Sequence, residues 1–502
     1  MKKFISFLLA AIFLIPTLTV SADTPYQGYT YNFWGTLVPS PAAYVPVRSF
    51  GIDELRCGTA CGLHSGNACT LDTHIALGGL STPTDLHVDS RDNLYIVDSG
   101  NNRIIVFDIE LNLVHVIDGY YQNGEWVENA LKTPGGVFVT DDGFIYIADE
   151  YNYRILILDE DLNYVRQIDA PESDELADDF EFLPFQVLVD RGGRVFAIVR
   201  RVYEGIMSFD MEGNFLGYYG TINVSVNMVD YMWSLIMPRR QRNSVLPREF
   251  KSMDIDQYGF VFTTHVENWH LNNQISRLNP RGEDVLVNLN DNVVINGDQG
   301  WRDTGQLSGH SVFSDVVARS HGRYSAICTI RGRVFTYDTE GNLLYVFGGP
   351  GTLQGMVNSP VSIEVMGEDI FVLDAQGRGR IVQYMPTEYG TLINDAIKMR
   401  YDGEEQYAVE KWRELVKLDE NFALAWSGIG RSYLAAGDNE TAMEYLSHGM
   451  DIRYYSVAFR RYRLDEMQGI LPVILSGGLL LFVALTAINI FRKIKNKGAT
   501  AE

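Results

Sequence analysis

From Pro83 to Asp108 the chain reads PTDLHVDSRDNLYIVDSGNNRIIVFD, short apolar runs cut by Asp, Asn and Gly. The same punctuation returns from Pro134 to Asp159 as PGGVFVTDDGFIYIADEYNYRILILD, at an offset of 51 residues. Under that offset Pro83, Asp98, Asn101, Arg103 and Asp108 meet Pro134, Asp149, Asn152, Arg154 and Asp159. LHVD, LYIVD, IIVFD and LVHVID have strand length and are bounded by turn residues, so each copy predicts four antiparallel strands, A to D. Such a sheet cannot bury both faces alone. Copies at a fixed period must therefore pack around an axis as blades.

Weaker copies extend the series. Residues 183–199 with 206–220 predict a third blade, 250–264 with 275–289 a fourth, 313–349 a fifth and 361–385 a sixth. The sixth holds three strands and stops at Pro386. A spare strand, AAYVPVRSF, lies at Ala42–Phe50 and is predicted to complete blade six. Closure of this kind removes exposed sheet edges. The propeller is thus expected over 42–386, with 23–41 as a linker before it.

The connections divide between two faces. All A–B and C–D turns are tight, such as SRDN, TDDG and EGN. The D–A connections 119–133, 170–182, 221–249 and 290–312, and the B–C loop 265–273, are long and fall together on the other face. Long loops in a compact domain commonly carry function, which makes that face the expected working surface. The 221–249 insertion sets Met228, Tyr231, Trp233, Leu235 and Met237 before Arg239, Arg240, Arg242 and Arg248. It reads either as a lid or partner-docking element or as an amphipathic cap packed on the rim. Trp and Arg carry much of interface energy, so Trp233, Arg239, Arg240 and Arg242, with Trp269 and Trp301, are the binding candidates.

After Pro386 the pattern changes to helical. Across 393–463, Ala408 and Ala442, Trp412 and Leu446, and Asp419 and Arg453 stand 34 residues apart. WSGIGRSY, Trp426–Tyr433, followed by Ala442, resembles the W-x2-L-G-x2-Y…A signature of tetratricopeptide repeats. Two repeats are fewer than a free-standing array needs, so they are expected to lean on the propeller or on a partner. Residues 470–491 carry no charge over 22 positions, enough to span a bilayer. Arg492, Lys493, Lys495 and Lys497 open the tail 492–502 and suit a cytoplasmic end, while Arg460, Arg461 and Arg463 flank the other end of the span. At the N-terminus Lys2 and Lys3, the apolar Phe4–Ile15 and the small residues Val20, Ser21 and Ala22 predict a signal peptide over 1–22. The expected topology is a single-pass cell-membrane protein with propeller and helical repeats outside and the tail inside.

A net charge of −23 over 502 residues argues against nucleic-acid binding, which needs clustered Lys and Arg. Cys57, Cys61 and Cys69 sit in CGTACGLHSGNAC and are the disulfide candidates in an exported chain. Cys328, in YSAIC, reads as a core thiol. A bridge within the cluster is preferred, but sequence leaves the pairing open. With His64 and His74 the cluster matches no usual zinc spacing. There is no G-x-S-x-G elbow, P-loop, H-E-x-x-H or EF-hand loop. Asp92, Asp142, Gly143, Gly192 and Gly193 belong to hairpin turns, where such residues serve backbone geometry. Asp98, Asp149 and Asp374, with Arg103, Arg154 and Arg380, are expected to brace their own blades. Val199, His265 and Ile327 stand at that position in blades three to five, which argues against a symmetric metal site.

The blade-one pattern resembles the NHL repeat, and GGPGTLQGMVNSP resembles its inter-repeat segment. The full order also resembles a group of membrane-anchored NHL-repeat proteins of Gram-positive bacteria, most closely in RLNPRGEDVL, RGRVFTYDTEGNLLYVFGG and YYSVAFRRYR. The Cys57–Cys69 segment departs from that group. The resemblance implies an all-β six-bladed propeller, a short all-α tetratricopeptide-like segment and one transmembrane helix. It further implies association with sugar-type ABC transporter components and no established activity. The expected function is a non-catalytic extracellular binding or scaffolding module, accessory to a membrane transport complex, with no cofactor. Its expected partner is a protein in or at the membrane, or a carbohydrate. The alternative is a metal-dependent lactonase or lyase acting on a sugar derivative, as in other six-bladed propellers. In that case calcium or zinc would be held near His265, Glu267, His270 and His310 on the long-loop face.

Overall fold

The computed structural model describes residues 24–51, 56–57, 78–173, 176, 180–220, 249–266, 274–286, 297–298 and 311–498. Blade one comprises Asp85–Val88, Leu94–Asp98, Arg103–Phe107 and Asn112–Ile117. Blade two comprises Pro134–Val139, Ile145–Asp149, Arg154–Leu158 and Tyr164–Asp169. Blade three follows with Pro184–Val189, Val195–Val199, Ile206–Phe209 and Phe215–Tyr219. Blade four shows Glu249–Ile255, Val261–Val266 and Ile275–Leu278 among the described residues. Blade five has Phe313–Ala318, Tyr324–Cys328, Arg333–Tyr337 and Leu343–Gly348. Blade six has Pro360–Met366, Asp369–Asp374 and Arg380–Pro386, and takes its outer strand from Tyr44–Phe50. There Phe50 lies opposite Ile381 and Tyr44 opposite Pro386, so the first and last strands of the propeller meet in one sheet.

The tight turns repeat one device. An Asp or Asn at the strand end accepts backbone N–H groups two and four residues on, as Asp89 does from Arg91 and Asn93 at 2.9 and 2.8 Å. Asp256 does the same for Tyr258 and Phe260, and Asp338 for Glu340 and Asn342. These side chains are therefore committed to turn geometry.

Residues 23–41 were expected to be a linker. Instead Tyr29–Tyr31 and Leu37–Pro39 form a hairpin that extends blade five beyond Leu343–Gly348, with Tyr29 opposite Val346. Its aromatic faces are drawn in by a buried carboxylate: Tyr29 and Tyr31 donate to Asp298 Oδ1 at 2.5 and 2.7 Å. The apolar core is a ring of layers between neighbouring blades. Phe50, Leu94, Ile96, Phe371 and Leu373 fill the joint of blades six and one, and Val97, Ile104, Val137 and Ile147 that of one and two.

Five helices follow: α1 Glu388–Tyr401, α2 Val409–Leu418, α3 Ala423–Ala436, α4 Asn439–His448 and α5 Ile452–Gly498. The segment starts at Glu388, earlier than the expected residue 393, because Thr387 caps α1. Its Oγ1 accepts from the Gly390 amide at 3.2 Å and donates to the Ala42 carbonyl at 2.7 Å. Gly390 sits where any Cβ would collide with the Ala43 carbonyl, so α1 begins flush against the closing strand. Tyr389, Leu392, Ile393, Ala396 and Ile397 then bury against Val317, Leu344 and Tyr345. Each fully buried Leu or Ile of this kind stabilises by about 1.5–3 kcal/mol. The α5 helix runs without a break through 470–491 and is long and apolar enough to cross a membrane.

Candidate functional site

The helical segment occupies one face of the propeller. Asn394 of α1 donates to Glu368 at 3.0 Å, in the A–B turn of blade six. Arg400 reaches Asp338 at 3.4 Å, in the C–D turn of blade five. Both are tight turns, so the helices cover the tight-turn face at blades five and six. On the opposite, loop-bearing face the described residues form only the short 3-10 turns Ser99–Asn101 and Glu150–Asn152 and no α-helix. There the inner strands open into a cavity of about 370 Å³ at the mouth of the central channel.

The mouth is polar for a reason set by the inner strands. At equivalent positions these carry Asp85, Gly136, Gln186, Ser252, Asp315 and Ser362. Asp85, Gln186, Asp315 and Ser362 serve the backbone of the next blade, while the Ser252 hydroxyl pairs with that of Thr264 in its own blade at 2.8 Å. Asp85 accepts from the Val137 amide at 3.2 Å, Gln186 from Met253 at 2.7 Å and Asp315 from Ile363 at 2.8 Å. Ser362 accepts from Leu86 at 3.1 Å and donates to Asp315 at 2.7 Å, which carries the ring across the closure. Gly136 is needed because a Cβ there would stand 2.9 Å from Asp85 Oδ2 and 3.2 Å from Gln186 Cγ. Closer to the entrance, Arg200 pairs with Glu150 at 2.6 Å and lies 4.0 Å over the Phe185 ring, beside Lys251.

Two residues deeper on the same strands lie His87, Asp254 and Glu364. His87 Nε2 accepts from the Val139 amide at 3.1 Å, so its proton sits on Nδ1, 4.0 Å from Glu364. Asp254 accepts from Ala318 and Ile255 at 2.6 and 2.8 Å. Burial pushes the Asp254 carboxyl up to about 7, helped by the charge of Asp315. Burial likewise raises Asp85, Asp315 and Glu364, with Asp315 adding to the rise at Asp85 and Asp254 to that at Glu364. Burial drives His87 down to about 4, so the imidazole is neutral at pH 7. The axis thus holds four carboxyls served by backbone N–H groups and hydroxyls. Among the described residues, no group of three or more His, Cys, Asp or Glu is placed to hold a metal ion.

The Asp–Arg pairs brace their blades. Arg103 donates to Asp98 at 2.7 Å, Arg154 to Asp149 at 2.9 Å and Arg380 to Asp374 at 3.1 Å. The second carboxylate oxygen of each takes an amide of the incoming loop, from Ser81, Lys132 and Ser359 at 2.7, 2.7 and 2.9 Å. In blade five the residue opposite Arg333 is Cys328, not the expected Ile327. The run YSAIC has no polar marker to fix its register by eye. Cys328 is a buried, unbridged thiol. Arg333, without an Asp on its own strand pair, goes to Asp298 at 2.8 Å, where Arg331 also binds at 2.9 Å.

Most of the sequence-predicted site falls elsewhere. Trp233, Arg239, Arg240, Arg242, Trp269 and Trp301 lie outside the described residues, as do Glu267, His270 and His310. His265 is described; it is buried at the end of its strand, edge-on to Phe250 at 6.2 Å. Cys57 lies in a two-residue strand running parallel to Asn112–Leu113 at the rim of blade one, while Cys61 and Cys69 fall outside the described residues. The axial acids were missed in the sequence. Their signal was an acidic residue inside an apolar A strand, as in TDLHV, SMDID, FSDVV and SIEVM.

The chain is a six-bladed β-propeller carrying an NHL repeat and followed by five helices. The NHL repeat family model matches residues 80–107, the heart of blade one. Among curated proteins none matches the sequence. Similar solved structures include a streptogramin B lyase, at 12% identity over 60% of this chain and 78% of that one with a TM-score of 0.37. Virginiamycin B lyase from Staphylococcus aureus gives 10% identity, 61% and 96% coverage and a TM-score of 0.37. A protein of unknown function from Bacteroides thetaiotaomicron gives 12% identity, 70% and 79% coverage and a TM-score of 0.41. The fold itself stands on the strand ladders above.

Proposed function

We propose that the protein is a membrane-anchored, non-catalytic binding or scaffolding module. Its loop-bearing propeller face receives a protein partner in or at the membrane, with transporter components and carbohydrate as the partner classes. The helices act as a tetratricopeptide-like brace, and the propeller lies outside the cell. The carrying observation is the division of the two faces. The chain's own helices occupy the tight-turn face through Asp338, Glu340 and Glu368, while the channel mouth and the described connection 119–133 share the other. The axial acids support a structural role, since Asp85, Asp254 and Asp315 are engaged by a neighbouring blade's backbone and Glu364 by its own Val365 amide.

The test is cross-linking and capture from native membranes, with a thermal melt beside it. Trp233→Ala with Arg240→Ala, and separately Lys251→Glu at the mouth, should each reduce capture about tenfold with the melt unchanged, as for interface anchors. Unchanged capture in both would remove the loop-bearing face as the docking surface.

A further inference from the structure

We infer that the membrane-proximal end of the helical segment rests directly on anionic phospholipid headgroups, so that the propeller is held in a fixed orientation rather than on a flexible stalk. This rests on reading α5 as the membrane span. The uncharged residues 470–491 would rise about 33 Å as a helix, matching a hydrocarbon core of about 30 Å. Two bonds tie the helical body to α5 just before that stretch. Asn439 Nδ2 donates to Asp465 at 2.8 Å, and Arg461 donates to the Leu434 carbonyl at 3.4 Å. The end of α3 and the start of α4 are therefore strapped to α5 at 461–465. From Asp465 to Ile470 the unbroken helix advances only about 7.5 Å, comparable with a headgroup layer of about 5–7 Å. The exposed turn Gly437–Asp438 is thereby carried to headgroup depth. Pro472 lies already inside the uncharged stretch, so a bend there would tilt the span without lifting the body.

The charge pattern selects the lipid. The chain carries −23 overall, so an anionic bilayer repels most of its surface. Arg460 and Arg463 are exposed on α5 within about 15 Å of Ile470. They form the local exception, and each cation near an anionic surface contributes about 1 kcal/mol. Of the acids beside them, Asp465 is engaged by Asn439 and Glu466 is exposed, so across 460–466 Arg460, Arg461 and Arg463 outnumber the two acids.

The full chain is placed in nanodiscs whose lipids carry a headgroup nitroxide. A fluorescent amino acid is set at Asp438 or, as reference, at Asn123 on the loop-bearing face. Quenching at 438 should exceed that at 123 by about threefold, since only the former lies within the headgroup layer. A chain that fails to enter the disc overturns the membrane reading itself. A chain that enters and is quenched equally at both sites overturns the docking alone. Arg460→Gln with Arg463→Gln should lower the quenching at 438 about twofold in anionic discs, and a persisting value would overturn the role of the arginines. A Gly-Ser insertion after Glu466 leaves span and body intact and should abolish the difference between 438 and 123. Retention of that difference would overturn the rigid strap.

Discussion

On the propeller axis, Asp85, Asp254, Asp315 and Glu364 are surrounded by backbone N–H groups, hydroxyls and the neutral His87. At the junction with the helices, Asp338, Glu340 and Glu368 meet Arg319, Arg323, Arg400 and Arg431. The axial acids and Asp338 are withdrawn from water, Glu340 is partly so, and Glu368 lies at the surface. Burial alone would raise Glu340 as well, but the hydrogen bonds and charge of Arg400, then Arg431, outweigh it and hold the carboxyl at about 2. On the axis no cation offsets burial, and Asp254 stands at about 7. The same side chain is a fixed charge in one place and a proton store in the other. The difference lies in what the neighbouring elements supply: an inner strand brings amides, whereas the helix face, with Arg400 and Arg431, and the blade-five turn, with Arg319 and Arg323, bring guanidinium groups.

The largest effect is expected at the junction. Glu340→Ala leaves Arg400 and Arg431 partly unpaired, although Asp338 at 3.4 Å and Glu405 at 2.8 Å remain near them. Breaking a buried pair costs about 3–5 kcal/mol, and the partial exposure of Glu340 brings the expectation to about 2–3 kcal/mol. Denaturant titration of the full chain would measure it, with protease cleavage near Pro386 reporting release of the helices. A loss below about 0.5 kcal/mol would mean that the apolar contacts of α1 hold the joint alone.

A smaller effect should follow Gly136→Ala on the axis. The added methyl must displace Asp85 or Gln186, at about 1–3 kcal/mol for overpacking. A stability unchanged from wild type would show that the ring has slack.

The pH response separates the two regions most sharply. Acids whose folded pKa is raised contribute stability that is complete below the unfolded value near 4 and is lost as pH rises through the folded value, about 7 for Asp254. Glu340 has the opposite sign: its contribution is present above the unfolded value and is lost as pH falls toward about 2. Stability should therefore peak at about pH 4–4.5 and fall by roughly 2–4 kcal/mol toward pH 8, most of it before pH 7. Asp254→Asn should flatten the alkaline side, and Glu340→Gln the acid side. An Asp254→Asn protein that kept the full decline from about pH 4.5 to 8 would place the titrating groups elsewhere.

Much of the fold could be read from the chain because it is local and repeated. Apolar runs of strand length, Asp or Asn at most tight turns and Asp–Arg pairs at fixed spacing are set by neighbours within one blade. Even the closing strand was legible, since blade six visibly lacked its fourth member. The hairpin Tyr29–Pro39 was not, because nothing in its own residues names the blade whose edge it joins. Asp298 is similar: a loop carboxylate replaces the Asp that blade five lacks, and only the folded ring brings it to Arg331 and Arg333.

Sequence by itself determined the repeat, the turn chemistry, the shift from strands to helices and the uncharged span, all of which depend on spacing along the chain. Tertiary structure alone decided that four acids from four separate strands share one axis, and that helix arginines reach across to turn acids more than 60 residues away, as Arg400 does to Asp338. The physical reason is desolvation. Whether a carboxyl holds a charge or a proton depends on how much water is excluded and which groups replace it, and those groups come from segments distant in sequence.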